Sequence, residues 1–414
     1  MGNLTRAITG VLALGLASGL AATLPARAAD PDPKAWDKVL ETAKGQTVYF
    51  NAWGGSENIN AYIEWAGSEL KARHGVTLVH VKLDDTANAV AKVVAEKAAG
   101  KAEGGSVDLI WINGENFAAM KRQELLLSPG WATELPNWAY VDHETKPTIL
   151  TDFTLPTDGL ESPWGGAKLV FFHDSARTAA DAMPDSAAEL LAWAEKNPGR
   201  FSYPAPPDFI GSSFLKQVLI EVIDDRSKLA KPVDDARFEA DVAPLFAYLD
   251  RLNPLLWRSG KAFPKNYTDM KQKLADGEVE ITFAFNPSEA SAAIKAGELP
   301  DTVRSFTFSG GTLGNTHFVA IPFNAASKSG ALVVADFLIS PEAQLRKQDP
   351  AVWGDPTVLA MAKLNDAQRA GFDALDLGVA TLKPAELGPA LDEPHPDWME
   401  RIEKEWLRRY GAAN

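Results

Sequence analysis

The sequence predicts an α/β protein of two lobes, and three observations carry the prediction. Strand-like and helix-like runs alternate from residue 47 to residue 124, the pattern of a parallel sheet with helices on its faces. The rhythm breaks at 128–163, where Pro129, Pro136, Pro147, Pro156 and Pro163 fall among turn formers, and a second strand–helix set resumes from about 165 to 310. The 414 residues also exceed one ordinary domain of roughly 100–200 residues.

Each element has its own signal. A polar lead-in holds a short helix at Trp36–Lys44. Thr47–Asn51 reads as a strand, and Ile59–His74 as a helix with Ile59, Ile63, Ala66 and Leu70 on one stripe. Val76–Leu83 alternates as a strand does. Asp84, Asp85 and Thr86 supply N-cap chemistry for a helix at Ala87–Ala99. Val107–Ile112 is a short buried strand, and Asn116–Glu124 is helical. Beyond the proline-rich stretch, Leu169–Phe172 is a strand, and helices are expected at Ser186–Asn197, Ser213–Asp224 and Phe238–Leu252. Val279–Phe285 turns into a helix at Ser288–Lys295. His317–Ile321 is a strand, and Lys328–Ile339 is a helix packing through Ala331, Val334, Ala335 and Leu338.

The N-terminus reads as a cleavable signal peptide over residues 1–28. Arg6 gives the positive region, Ile8–Leu24 is apolar and uncharged, and Ala26-Arg27-Ala28 is a small-x-small cleavage site. Export is therefore expected. No second long apolar run follows, so no membrane span is expected in the processed chain. Cysteine is absent, which removes disulfides, thiolate metal sites and cysteine nucleophiles. The net charge of −14 repels phosphate backbones, and nucleic acid is not an expected partner.

The catalytic inventory is thin. The sequence lacks a His-Glu-x-x-His helix, a phosphate-binding Gly-Lys loop and a Gly-x-Ser-x-Gly elbow. His74, His80, His143, His173, His317 and His395 are scattered without metal-ligand spacing. Gly310–Gly314 precedes a strand instead of opening a helix, which removes it as a dinucleotide fingerprint. No catalytic residue, metal or cofactor is expected.

Three loops instead share one structural role, each following a strand and preceding a helix: Trp53-Gly54-Gly55-Ser56, Asn113-Gly114-Glu115-Asn116 and Asn286-Pro287-Ser288-Glu289. Open α/β sheets bind ligands at such strand ends, where helix N-termini offer free N–H groups. Singly, each loop also reads as a cap and turn; together they favour a shared cleft. Loop tryptophans, among them Trp164, Trp257 and Trp353, suit stacking on a flat or cationic ligand, and equally a lid on the core. Tyr267 offers a further aromatic wall. Glu57, Asp84, Asp85, Glu115, Asp208 and Glu289 lie near the loops and suit a cation, or solvated caps. The expected ligand-binding set is Trp53, Gly54, Gly55, Ser56, Asn88, Asn113, Glu115, Asn116, Trp164, Ser212, Ser213, Trp257 and Asn286.

Four features together resemble the periplasmic solute-binding proteins of ABC importers. They are the leader, the TVYFNAWGG opening at 47–55, the ESPWGGAKLVFFHD segment at 161–174, and GNTHFVAIPFNAASKSGALVVADFLISPEAQ at 314–344. Within that family the chain is most similar to the YnjB-type group, related to thiamine-, iron- and polyamine-binding members. The resemblance implies a type II fold of two α/β lobes that close by hinge motion. Lobe one would comprise 30–165 and 312–414, and lobe two 166–311. It implies a free periplasmic protein, expected as a monomer, that captures a small molecule between the lobes and passes it to an import permease. A thiamine-like or polyamine-like ligand, cationic or aromatic, is expected. The sequence has no Tyr-Tyr pair of the kind iron-binding relatives use. The rival readings are an exported carbohydrate-active enzyme using a carboxylate pair and a sugar-binding protein.

Overall fold

The computed structural model describes Gly2, residues 30–383 and residues 386–411. The expected signal peptide at 1–28 lies, Gly2 apart, outside the described residues.

The first half follows the expected alternation. Helix α1 (Trp36–Ala43) leads to β1 (Thr47–Trp53), α2 (Glu57–His74), β2 (Thr77–Leu83), α3 (Ala87–Ala98), β3 (Leu109–Ile112) and α4 (Glu115–Arg122). The proline-rich stretch holds short 3-10 turns and a small hairpin, β4 (Thr151–Asp152) with β5 (Leu155–Pro156). Strand β6 (Glu161–Lys168) and, one residue later, β7 (Val170–Asp174) follow. Next come α5 (Ala187–Lys196), α6 (Phe209–Val222), α7 (Phe238–Leu252), α8 (Tyr267–Ala275), β8 (Ile281–Ala284), α9 (Glu289–Lys295) and β9 (Val303–Phe306). The last elements are β10 (Thr312–Ala320), α10 (Lys328–Leu338), α11 (Pro341–Gln348), α12 (Asp366–Asp373), β11 (Ala390–Leu391) and α13 (Pro396–Tyr410).

Local chemistry sets many of these boundaries. The Asp208 carboxylate caps α6 by accepting from the N–H groups of Ile210 and Gly211, and the Asn266 side chain caps α8 through Asp269. Ser340 caps α11, whose first residue is Pro341. Gly75, at φ 69°, ends α2 in the left-handed region where a side chain would be strained.

Two sheets result. In the first, β1 pairs in parallel with β2 and with β3, and β10 pairs antiparallel with β3 and β6. In the second, β7 pairs antiparallel with β8 and β9. Strands β6 and β10 run side by side from one sheet to the other, β6 continuing into β7 and β9 returning into β10. Strand β10 begins at Thr312, earlier than the expected His317, because all of its residues are buried and no alternation marks its start.

Each sheet has its own core. Val48, Phe50, Ile63, Trp164 and Leu332 belong to one, and Phe171, Phe214, Leu245 and Phe283 to the other. The second core also takes Trp398, Ile402 and Trp406 of α13. The expected division, with all of 312–414 in lobe one, did not anticipate that packing. Among the described residues, no helix is long and apolar enough to cross a membrane.

Candidate functional site

A cavity of about 270 Å³ lies between the sheets, at the carboxyl ends of β1 and β3. The first sheet contributes Trp53, Gly55, Ser56, Asn113, Glu115 and Asn116 to its wall. The second group of elements contributes Asp208 and Phe209 from the start of α6, Tyr267 and Lys271 from α8, and Asn286 and Glu289 around the start of α9. Asn315 and His317 of β10 and Ala167 of β6 line it where the strands cross.

The Trp53–Ser56 loop is shaped for this position. Gly54 donates its N–H to Leu83 O and accepts from Asn60 Nδ2 at 3.1 Å. A Cβ on Gly54 would lie 2.6 Å from that of Lys82, so its glycine serves the β1–β2 approach, and it does not line the cavity. A Cβ on Gly55 would collide with the Trp53 ring, so this glycine lets the indole fold back over the backbone. The Gly55 carbonyl accepts from Thr268 Oγ1 of α8 at 3.3 Å, tying the loop to the second group. Across the cavity, Asn286 Nδ2 donates to Trp353 O at 3.4 Å.

The walls are aromatic and acidic. Trp111 meets the His317 ring edge-on at 5.2 Å, and both face Trp353 at 5.6 and 6.1 Å. Asp84, Asp85, Glu115, Asp208 and Glu289 all line the cavity. Glu289 is engaged by Tyr267 OH at 2.6 Å and by Lys271 at 3.4 Å, and Lys271 also pairs with Glu298 at 2.5 Å. Glu115 accepts from Asn116 Nδ2 at 3.0 Å through Oε1, but its Oε2 is buried without a hydrogen-bond partner. Burial pushes the Glu115 carboxyl up to about 7, opposed by its own backbone N–H and by Lys216 and aided by the negative charges of Glu403 and Asp85. Burial likewise pushes Asp208 up to about 6, with Asp85 adding to the shift and the capped N–H groups of α6 opposing it.

Besides Gly54, five of the expected site residues stand apart from this lining. Trp164 is wholly buried. It is the extra residue of a bulge, since His317 pairs with Gly165 and Phe318 with Pro163. Its ring turns into the first core against Trp111 and Trp353. Ser212 and Ser213 lie inside α6, donating to Glu403 Oε1 at 2.6 Å and to Phe209 O at 2.7 Å. The Trp257 indole donates to Glu278 at 2.8 Å and is flanked by Arg258 and Lys273, each 4.2 Å from its ring. Asn88 is exposed in the first turn of α3. Sequence reasoning missed Asn315 and His317, which sit within the fully buried β10, and Phe209, which follows a proline-rich loop.

The sequence matches the family described as bacterial extracellular solute-binding protein over residues 65–368. This chain belongs to that family. Protein YnjB of Escherichia coli K12 is 47% identical over 377 residues, spanning 91% of this chain and 94% of the relative. Among solved structures, the periplasmic binding protein AfuA of Actinobacillus pleuropneumoniae, with fructose 6-phosphate bound, matches with a TM-score of 0.61 at 14% identity. The match covers 88% of this chain and 99% of AfuA. A putative spermidine/putrescine ABC transporter protein of Listeria monocytogenes matches with a TM-score of 0.58 at 15% identity, over 89% of this chain and 99% of that one. The solute-binding protein therefore has the type II periplasmic-binding fold, as its sequence resemblance implied. Its family serves ABC importers by binding solutes. Among the described residues, no group of three or more His, Asp and Glu side chains is placed to hold a metal ion.

Proposed function

We propose that this protein captures a small organic cation in the cavity between its sheets and delivers it, as a periplasmic monomer released from its signal peptide, to the permease of an ABC importer. One observation carries the charge assignment. Glu115 reaches the cavity with Oε2 buried and unpaired, while the cavity's lysine, Lys271, is already held by Glu289 and Glu298. A desolvated carboxylate without a counter-ion favours a cation as the missing partner. Trp53, Trp111, Phe209 and Tyr267 add ring faces and edges that suit a cation or a flat ring. The ligand-binding residues in this reading are Trp53, Gly55, Ser56, Asn113, Glu115, Asn116 and Asn286 from the expected set, joined by Asp208, Tyr267 and Asn315.

Calorimetry across small cations, zwitterions, anions and neutral sugars tests the reading, with the solute recovered unchanged. Micromolar or tighter binding is expected for a cation. Such binding confined to an anion or to a neutral sugar would refute the cationic reading, and consumption of the solute would refute the binding role.

The carboxyls give this binding a direction with pH. A cation favours ionised Glu115 and Asp208, which hold protons up to about 7 and about 6. Affinity is therefore expected to rise from pH 5.5 to pH 8, by up to about tenfold per pH unit for each carboxyl that must ionise. The ligand-free protein behaves oppositely. Its folded state holds these protons more tightly than the unfolded chain does, so its stability falls as pH rises from about 4 through about 7. Melting temperatures with and without the bound cation should diverge over that range; equal shifts at pH 5.5 and pH 8 would contradict this account.

A further inference from the structure

Behind the cavity wall, a buried ion pair holds the side-chain amide of a residue that lines the cavity. Asn315 lines the cavity and is 9% exposed. Its Nδ2 donates to Glu393 Oε1 at 2.9 Å, and Glu393 Oε2 lies 2.6 Å from Lys216 Nζ. Both partners of that ion pair are almost completely buried, at 1% and 2% exposure. The Lys216 ammonium also lies 4.1 Å from the centre of the Phe153 ring. An ionised carboxylate only accepts hydrogen bonds, so the amide must turn its NH2 toward Glu393. That leaves Asn315 Oδ1 as the other end, and it is buried without a partner. Glu115 Oε2 is a second unpartnered acceptor on the same cavity.

We infer that Asn315, held in one orientation by the Lys216–Glu393 pair, selects cations that carry N–H donors over fully methylated ones. The inference rests on the cationic reading and narrows it. A primary ammonium or an amidinium has N–H donors to offer such acceptors. A quaternary ammonium brings the same charge but no donor, and leaves two buried acceptors unpaired, which is costly. Lys216 and Glu393 act through Asn315 as positioning residues. Glu393 precedes α13 and Lys216 lies in α6, so the C-terminal segment takes part in setting ligand choice.

Two matched pairs of probes test this by calorimetry: 1,4-diaminobutane against its fully N-methylated bis-quaternary counterpart, and benzylamine against benzyltrimethylammonium. Within at least one pair the N–H form is expected to bind roughly tenfold or more tightly, the size of a hydrogen bond to a charged group. Asn315→Leu should bring that ratio close to one. The double variant Lys216→Met, Glu393→Gln removes the charge pair together and frees the amide to rotate, so it should lower the ratio while leaving Asn315 in place. A merely structural role would weaken both members of a pair alike. Equal binding within both pairs, tighter binding of the methylated forms, or a ratio that survives Asn315→Leu would overturn the inference while leaving the cationic reading intact. Failure of all four probes, with an anion or neutral sugar binding instead, would overturn that reading and this inference with it.

Discussion

Replacing Asp355 by alanine is expected to destabilise the fold by about 3–5 kcal/mol, the usual cost of removing one partner of a buried ion pair. Asp355 Oδ2 lies 2.6 Å from Lys347 Nζ and 2.9 Å from His317 Nε2. The Lys347 side chain is wholly buried and that of Asp355 is 3% exposed. Without Asp355, the ammonium would keep the Trp164 carbonyl as its hydrogen-bond partner, among the rings of Trp164 and Trp353. Burial already lowers the Lys347 pKa, with Asp355 opposing that shift, so the variant should hold Lys347 neutral over more of the pH range. The charge-free double variant Lys347→Met, Asp355→Leu should recover much of the loss, because apolar replacements of buried pairs are often tolerated. Urea denaturation measures both. A loss below about 1 kcal/mol for Asp355→Ala, the scale of an exposed pair, would show that the pair contributes little.

Trp53→Ala is expected to weaken binding of the cognate solute by about 2–4 kcal/mol, the cost of losing an aromatic hot spot from a desolvated pocket. The ring lines the cavity, lies over Gly55 and packs against hydrophobic residues on both sides of the cleft. It is only part-buried, so the folded state should persist. Circular dichroism melts beside calorimetry separate the two effects. Unfolding without a distinct binding defect would assign Trp53 to the core.

The sequence exposed the parts of the cavity that have local signals. Trp53, Asn113, Glu115 and Asn286 each lie at a strand-to-helix junction, and the hydrophobic period announces both elements. Strands β1 to β3 were legible for the same reason. Trp164 was misleading because the following Gly165-Gly166 looks like a turn, whereas a bulge beside Pro163 rotates the indole inward. Asn315 and His317 were hidden in a strand buried on both faces, where polar residues break no pattern. Lys216 and Glu393 meet across 177 positions of chain, and no local spacing records that contact. The place of α13 was obscure for a related reason. Its apolar stripe marks an amphipathic helix but not which core receives it.

That placement bears on what the protein needs in order to function. Trp398 and Trp406 of α13 fill the core built around Phe201, Phe214 and Phe238, and Met399 reaches the cavity wall. The second core therefore cannot close without α13. Chains ending ahead of α13 would leave α6 and α7 without one of their packing partners. A chain cut ahead of α13 is therefore expected to lose second-core stability and solute capture together, which melting curves and calorimetry would show.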